Sequence, residues 1–336
     1  MRPLALPIWF IALAAVSGMR APGAAAQTPP RLELPVACEI GAACVVQNYV
    51  DQDPGPGARD HACGPLSYDG HQGTDIRVAG RPEMVAGVAV LAAAPGVVRA
   101  RHDGAADRAA AQAGPDAGNT VVLDHGGGWE SQYSHLRQGS VAVATGQRVA
   151  AGARLGLIGW SGRAEFPHLE FALRHRGRAI DPFTGAPAGG GCGRGGAPLW
   201  SPAAQAALAY RAGGLLRAGF AAEAPELARA LDGAYDGPLA APLDTQAPAL
   251  MFWTVAWGLR AGDREWFRLI APDGRMLAEG DGTLPRNQAQ WLRYIGKKPN
   301  GAGFPPGRYQ GEYRVTRATE GGSEIVVEVV RVLELR

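Results

Sequence analysis

The sequence predicts a mainly β protein built in two parts. Glycine and proline account for 48 and 26 of the 336 residues, a composition that favours short strands and tight turns over long helices. Between residues 76 and 181, short apolar runs are separated by glycines. From residue 247 onward, strand-like runs alternate with turns such as Pro272-Asp273-Gly274, which is typical of a β-sandwich. We therefore expect a mainly β domain followed by a smaller, immunoglobulin-like C-terminal β-sandwich.

The individual strands are predicted from period-2 or continuous apolar runs. In the first part they are Val88–Ala93, Gly96–Ala100, Thr120–Asp124, Trp129–Tyr133, Arg148–Val149, Leu155–Gly159 and Leu169–Arg174. In the second part they are Leu250–Val255, Glu265–Ile270, Met276–Glu279, Gly307–Val315 and Glu324–Leu335. Ser201-Pro202 is expected to cap and begin a short helix, because proline suits the first turn. The polar, alanine-rich stretch Arg101–Gly118 is predicted to be a surface loop.

Length and charge limit the possible functions. A chain of 336 residues is long enough for about two domains with packed cores. The formal net charge of +2 is close to balance, so the composition does not indicate a nucleic-acid partner.

The N-terminus resembles an export signal. Arg2 is followed by an apolar run from Leu4 to Val16, and Ala24-Ala25-Ala26 precedes Gln27. The run is short for a bilayer span, and the small residues fit a signal-peptidase site. We expect residues 1–26 to be a cleaved signal peptide and the mature protein to be periplasmic or secreted, without a membrane span. An uncleaved membrane anchor is the alternative.

The cysteines are consistent with export. The chain has four, Cys38, Cys44, Cys63 and Cys192, an even number suited to an oxidising compartment. Three pairings are possible, of which Cys38–Cys44 with Cys63–Cys192 is favoured. A four-cysteine zinc site is the rival interpretation, but the sequence has no Cys-x-x-Cys spacing.

Three short segments carry the residues most suited to chemistry. His71 and Asp75 flank Gly73, where the chain can bend so that imidazole and carboxylate converge. His168 and Glu170 lie two residues apart in a strand and project to one face. His71, Asp75 and Glu170 can therefore supply the nitrogen and oxygen ligands that zinc accepts. His135 and His168 remain available as base, acid or oxyanion stabiliser.

Other polar residues are assigned structural roles. His125 is expected to brace a turn, and Asp181 the end of a strand. Tyr133 shares strand parity with His135, so cleft lining and core packing are equally good predictions for it. The three histidines given no functional role are His61, His102 and His175.

The three segments resemble the lysostaphin/LytM-type metallopeptidases over about Gly70 to Phe183. The matching motifs are His71-x-Gly-x-Asp75, the run from Asn119 to His135-Leu136, the glycine-punctuated run from Gly146 to Ser161-Gly162, Pro167-His168-Leu169-x-Phe171 and Asp181-Pro182. The resemblance implies an antiparallel β-sheet fold and one Zn²⁺ per chain on His71, Asp75 and the Glu170 position. It also implies that His135 and His168 are the catalytic residues.

One position departs from the family pattern, which ends in His-x-His, whereas this chain has Glu170 as its second member. Glutamate can itself bind zinc, although a second carboxylate would leave a metal-bound water less acidic. The alternative is a degenerate site. Some members of the family have lost zinc ligands and activate cell-wall amidases.

The resemblance thus predicts an exported zinc endopeptidase acting on the peptide stems of peptidoglycan, in which His168 deprotonates the attacking water and His135 stabilises the oxyanion. A catalytically degenerate regulator with an amidase partner, or a wall-binding module, is the second hypothesis. A sugar-binding C-terminal face on Trp253, Trp257, Trp266 and Trp291 is the third, although strand tryptophans are more often core.

The predicted organisation is a signal peptide at 1–26, a peptidase domain with a disulfide-braced N-terminal extension at 27–183, a glycine-rich linker at 184–200 and the C-terminal β-sandwich at 201–336.

Overall fold

The computed structural model describes residues 28–108, 116–236, 241, 243–301 and 303–336. The predicted signal peptide and residues 109–115 of the predicted surface loop lie outside the described residues. No described helix is long and apolar enough to cross a bilayer.

The first part contains ten strands and one short helix among its described residues. They are β1 Cys44–Asn48, β2 Thr74–Val78, α1 Arg81–Ala86, β3 Ala89–Leu91, β4 Gly96–His102, β5 Asn119–Gly126, β6 Trp129–Leu136, β7 Arg148–Val149, β8 Arg154–Leu157, β9 His168–His175 and β10 Arg178–Ile180. The main sheet runs β1-β2-β9-β6-β5-β4-β7, with β10 beside β9, and β3 pairs with β8 separately. All these pairings are antiparallel, as predicted.

The main sheet has one core face and one face that carries the site. Leu169, Phe171 and Leu173 of β9 are fully buried in the first hydrophobic cluster. His168 and Glu170 alternate with them and project to the opposite face, as the period of a strand predicts. The short and interrupted strands follow from the glycines between them, which allow close turns.

Within its described residues, the second part contains two short helices and seven strands. They are α2 Pro202–Ala207, β11 Gly214–Ala221, α3 Leu227–Leu231, β12 Leu250–Leu259, β13 Arg264–Ile270, β14 Met276–Thr283, β15 Gln288–Lys297, β16 Gly307–Thr319 and β17 Gly322–Leu335. Two antiparallel sheets, β11-β12-β15 and β14-β13-β16-β17, pack around the aromatic rings of Phe252, Phe267 and Tyr313. The predicted C-terminal β-sandwich is therefore confirmed.

Several local predictions can be compared with these elements. Ser201 caps α2 by accepting a hydrogen bond from the Ala204 amide at 3.2 Å. β11 and β15 were not predicted, because β11 begins at glycines and β15 lacks clean apolar alternation. Both predicted disulfides, Cys38–Cys44 and Cys63–Cys192, are present.

The tryptophans of the second part do not form one exposed face. Trp253 and Trp257 are 0% and 1% exposed, and the indole of Trp291 donates to Glu265 at 3.0 Å. Trp266 remains partly exposed, with the guanidinium of Arg268 over its ring. A sugar-binding face formed by all four tryptophans is therefore wrong.

The two parts are in direct contact. Trp257 of β12 packs within the first hydrophobic cluster, and Arg77 of β2 donates to Gln290 of β15 at 3.0 Å. In the predicted linker, Cys192 is bonded to Cys63, and Trp200 is buried in the same cluster. The domain boundaries stay a prediction.

Candidate metal centre and active site

The register between β2 and β9 brings two carboxylates together. Asp75 and Glu170 are direct partners across the two strands, although 95 residues separate them in sequence. On the other side of β9, Ser134 of β6 is paired with Glu170. Asp75, Glu170 and Ser134 therefore form one row across the site face.

His71 enters this row from the loop before β2. The Asp51 carboxylate accepts from the Gly70 amide at 3.0 Å, and the Asp51 amide donates to the His71 carbonyl at 2.8 Å. This bracing brings His71 Nε2 to 3.3 Å from Asp75 Oδ1. Both atoms are buried, and neither makes a hydrogen bond to any described residue.

The other oxygen of Asp75 is held by a β-bulge in β1. Val46 pairs with Ile76 and Asn48 with Asp75, so Gln47 is an extra residue between them. As a result, Asn48 Nδ2 donates to Asp75 Oδ2 at 2.8 Å. Asn48 thus orients one oxygen of Asp75 and leaves the other free, as is usual for a carboxylate that binds a metal.

Glu170 fits against the backbone only because residue 73 is glycine. A Cβ atom on Gly73 would lie 2.7 Å from Glu170 Cγ and 3.0 Å from its Oε1. The other oxygen, Oε2, is 3.4 Å from His135 Nε2. Glu170 therefore lies between the loop that carries His71 and the strand that carries His135.

His135 reaches the site through an irregularity in β6. Asn119 pairs with Leu136 and Val121 with Tyr133, so Ser134 and His135 together oppose one residue of β5. His135 has a φ of 61°, a conformation in which histidine is several-fold enriched among non-glycine residues. Strict alternation from Ser134 would have turned His135 toward the core, and the bulge turns it to the site instead.

Tyr133 belongs to the core and not to the cleft. It is 0% exposed and packs in the first hydrophobic cluster. Its hydroxyl accepts from the Ala93 amide at 2.7 Å and from Ser131 Oγ at 3.1 Å. The prediction that Tyr133 shares a face with His135 is wrong, because the bulge lies between them.

The two candidate catalytic histidines are oriented by backbone carbonyls. His135 Nδ1 lies 2.8 Å from the Ser161 oxygen, and His168 Nδ1 lies 2.8 Å from the Phe166 oxygen. A carbonyl can only accept, so Nδ1 of each ring carries the proton. Their ring centroids are 4.6 Å apart, and His168 Nε2 is 3.7 Å from Asp75 Oδ1.

Burial and the carboxylates shift the pKa values of the two rings in opposite directions. Burial lowers the pKa of His168 to about 4, and the Asp75 charge only partly opposes it. Burial also lowers the pKa of His135, but the contact and charge of Glu170 outweigh it, so that this pKa is raised. At neutral pH His168 is therefore a neutral acceptor, whereas His135 is protonated more readily.

The pKa values of the candidate ligands depend on their mutual contacts. Burial opposes the charged form of Asp75, but the charges of His71 and His168 outweigh it and hold its pKa well below the ordinary value. Burial lowers the pKa of His71, and the Asp75 charge reverses this and raises it. For Glu170, the contact with His135 outweighs burial and lowers the pKa. Both carboxylates are thus ionised near neutral pH.

The donor set fits a divalent cation in chemistry, although the donors do not converge on one point. Among the described residues, no group of three His, Cys, Asp or Glu side chains comes together as a metal-holding cluster. The free and buried pair His71 Nε2 and Asp75 Oδ1 nevertheless presents one nitrogen and one oxygen donor, and ionised Glu170 stands opposite Asp75. Zinc accepts these donor types.

The remaining predicted polar residues are structural. His125 braces its turn, with Nδ1 2.7 Å from the Pro95 oxygen and Nε2 2.8 Å from Ser131 Oγ. Asp181 is 0% exposed and accepts from Gln52 Nε2 and the Phe183 amide, each at 2.9 Å. His175 stacks on Trp129.

Three residues of the site were not predicted. Asn48 orients Asp75, and the Ser161 carbonyl orients His135. Asn48 belongs to no motif, and the Ser161-Gly162 motif does not indicate a contact with His135. Tyr68 is 53% exposed and its ring lies on His71, with centroids 4.3 Å apart. The position of Tyr68, three residues before His71 in the sequence, is the one feature that could have indicated this contact.

An antiparallel sheet with paired histidines and carboxylates on one face is the arrangement expected of lysostaphin/LytM-type domains, with Glu170 as the one departure from their pattern. Residues 69–182, about a third of the chain, match Peptidase family M23. These residues are similar to that family, and the match covers no other part of the chain.

Relatives with described functions match short segments of the chain. The peptidoglycan DD-endopeptidase ShyA of Vibrio cholerae is 43% identical over 67 residues, which cover 20% of this chain and 15% of ShyA. The murein hydrolase activator EnvC of Escherichia coli is 38% identical over 65 residues, 19% of this chain and 15% of EnvC. The cell division protein DipM of Caulobacter vibrioides is 32% identical over 74 residues, 20% of this chain and 12% of DipM. The matched segment is therefore a small part of each relative.

Solved structures show partial matches as well. The catalytic domain of lysostaphin from Staphylococcus simulans is 24% identical, with 35% of this chain and 82% of that domain covered and a TM-score of 0.26. A zinc-containing peptidase from Vibrio cholerae is 24% identical, with 40% of this chain and 39% of that peptidase covered and a TM-score of 0.28.

Proposed function

We propose that the chain is an exported, zinc-dependent endopeptidase that hydrolyses peptide cross-links of peptidoglycan in the periplasm or outside the cell. The observation that carries the proposal is the buried pair His71 Nε2 and Asp75 Oδ1, which face each other without hydrogen bonds. Leaving a buried polar group unpaired costs about 1–3 kcal/mol. A cation between these atoms would remove that cost.

His71, Asp75 and Glu170 are the residues that would hold the metal. Zinc bound there would supply Lewis acidity toward the scissile carbonyl and the attacking water. Asn48 would keep Asp75 oriented through its second oxygen. Glu170 would have to exchange its contact with His135 for one with the metal.

The two histidines would have different roles in the hydrolysis. His168 is neutral at physiological pH, and its Nε2 is free because Nδ1 is committed to the Phe166 carbonyl. It would take the proton from the attacking water as general base. His135 is anchored by the Ser161 carbonyl through Nδ1, and its Nε2, once protonated and released from Glu170, would donate a hydrogen bond to the developing oxyanion.

The substrate class is supported by the relatives. ShyA is a peptidoglycan DD-endopeptidase and is 43% identical to this chain over 67 residues. The peptide stems of peptidoglycan would accordingly be the substrate of this chain.

Metal content is the first test of this function. Residues 27–336 should contain close to one zinc per chain by elemental mass spectrometry, and Asp75→Ala should contain none. Digestion of peptidoglycan should stop with a chelator and with His168→Ala. Digestion that survives both treatments would contradict the mechanism.

A regulator without catalysis is the second candidate, and Glu170 is the observation that favours it. Glu170 replaces the histidine of the family motif, and its carboxylate lies beside His135. EnvC is a murein hydrolase activator, and a cell-wall amidase is the partner that we propose for a regulator of this kind. If Glu170→His binds zinc and digests peptidoglycan whereas the natural chain does neither, the natural chain is the regulator.

A further inference from the structure

The site face continues beyond the candidate metal centre along β9. Residues two apart on this face are separated by about 7 Å. After the row of Glu170 comes Ala172, opposite Gln132 of β6, and then Arg174, opposite Glu130 of β6. Arg174 therefore lies on the same face as His168 and Glu170, two rows away from the carboxylates.

Arg174 is a half-buried cation without a carboxylate partner among the described residues. Its cross-strand neighbour Glu130 is the expected ion-pair partner, but Glu130 pairs with Arg99 of β4 instead. On the other side of β9, the residue paired with Arg174 is Ala179 of β10, which carries no charge. The positive charge of Arg174 is thus left uncompensated.

Hydrogen bonds direct the guanidinium toward the site. Arg174 Nη1 donates to Gln132 Oε1 at 2.9 Å, so its head group leans over the row of Ala172. Gln132 Nε2 in turn donates to Ser134 Oγ at 2.9 Å, and Ser134 stands opposite Glu170. These hydrogen bonds hold the guanidinium of Arg174 beside the row of Ala172, which is about one row, or roughly 7 Å, from the carboxylate row.

The other donors of Arg174 are available to a ligand. A guanidinium has five N–H groups. In the part of the chain that the structure describes, the guanidinium of Arg174 makes one hydrogen bond, to Gln132. A planar fork of free N–H groups matches a carboxylate, which it can bind with two parallel hydrogen bonds.

We propose that Arg174 is a specificity-determining residue that binds a free carboxylate of the peptide substrate. A separation of about 7 Å corresponds to two residues of an extended peptide. The preferred substrates are therefore peptides with a free carboxylate one or two residues from the scissile amide. This inference rests on the proposed peptidase function and deepens it by naming the substrate feature.

The test compares two peptides that differ in one group. A cross-linked stem peptide is prepared with the carboxylate nearest the scissile amide either free or converted to a carboxamide. We expect the wild-type protein to hydrolyse the carboxylate form with a kcat/KM at least about tenfold higher than that of the carboxamide form. The carboxamide form lacks the charged, hydrogen-bonded pair with Arg174. In Arg174→Gln this ratio should fall to near one, and Arg174→Lys should retain part of it.

A matched variant controls for net charge. Arg178 is exposed on β10, one residue from Ala179 and hence on the opposite face of the sheet. Arg178→Gln removes one positive charge and should keep the full preference. A preference that persists in Arg174→Gln, or one lost equally in Arg178→Gln, would overturn the assignment.

Binding separates this inference from the proposed function. The dissociation constants of both peptides are measured by calorimetry on His168→Ala, which cannot turn them over. If wild-type protein hydrolyses neither peptide, the peptidase proposal fails, but a tenfold tighter binding of the carboxylate form, lost in His168→Ala/Arg174→Gln, would still support the subsite. Equal binding of the two peptides, or no binding of either, would refute it. Should Arg174→Gln fail to fold, Arg174→Lys decides: a reduced preference for the carboxylate form would support the assignment, and an unchanged preference would overturn it.

Discussion

Asp75 and Glu170 face each other directly across β2 and β9, carboxylate against carboxylate, at the centre of the site. Like charges in directly opposite positions of a sheet destabilise it. The nearby histidines compensate in part, since His71 and His135 each approach one of the two acids. A bound cation would compensate more fully, and this relationship is the basis of the first three predictions.

Zinc should stabilise the protein against thermal unfolding. A ligand that binds only the folded state adds about 2.7 kcal/mol at a hundredfold excess over its dissociation constant. We therefore expect the melting temperature to rise by several degrees with zinc and to return with a chelator, as measured by calorimetry. Asp75→Ala should show no such rise, and an equal rise in that variant would place the metal elsewhere.

Gly73→Ala should weaken metal binding. The new Cβ would lie 2.7 Å from Glu170 Cγ, so the Glu170 side chain must move away from Asp75. We expect zinc affinity to fall at least tenfold in a competition titration with a chromophoric chelator. Gly70→Ala is not a suitable control because Gly70 has a positive φ of 75°. Gly195 has open space around it, and Gly195→Ala should leave the affinity unchanged.

Asn48→Ala should also lower zinc affinity, in this case through the orientation of Asp75. Removal of a residue that orients a metal ligand typically costs 10–100-fold in affinity, and Asn48 is the donor to Asp75 Oδ2. Gln47→Ala is the matched control, because Gln47 lies in the same bulge but bonds Arg77. Equal losses in the two variants would indicate damage to the bulge and not loss of the hydrogen bond.

Asp181 should make the protein less stable as the pH rises from about 4 to about 6. Burial raises the pKa of its carboxyl to about 6 in the folded protein, against about 3.9 in an unfolded chain. Between these values the folded state binds more protons, so the free energy of unfolding falls with rising pH, by about 3 kcal/mol. Urea unfolding at pH 4 and pH 7 should show a smaller decrease in Asp181→Asn. The exposed Asp281→Asn should match the wild-type protein, and an unchanged slope in Asp181→Asn would contradict the assignment.

The two disulfides should differ in their contribution to stability. Cys63–Cys192 spans 129 residues and Cys38–Cys44 spans 6. Loop-closure entropy predicts about 5 kcal/mol for the long loop and about 2 kcal/mol for the short one. Cys63→Ser/Cys192→Ser should therefore lower the urea midpoint more than Cys38→Ser/Cys44→Ser does. The reverse order would mean that strain or residual structure dominates over loop length.

Much of the fold could be predicted from local patterns. Glycine-broken apolar runs predicted most strands of the first part, and the alternation around Leu169, Phe171 and Leu173 correctly placed His168 and Glu170 on one face. The even cysteine count and the spacing of the four cysteines led to the observed pairing. Strands β11 and β15 could not be predicted, since their positions depend on contacts with β12 and not on their own composition.

The sequence by itself determined the fold class, the face of β9 that carries chemistry and the residues from which a metal site could be built. These depend on periods of two and on residue types, which are local properties of the chain. Only the tertiary structure decided that Asp75 stands opposite Glu170 and that Asn48 orients Asp75. It also decided that the bulge in β6, where His135 has a left-handed conformation, turns His135, and not Tyr133, toward the site. Register and bulges arise from pairing between strands far apart in sequence, so no single segment encodes them.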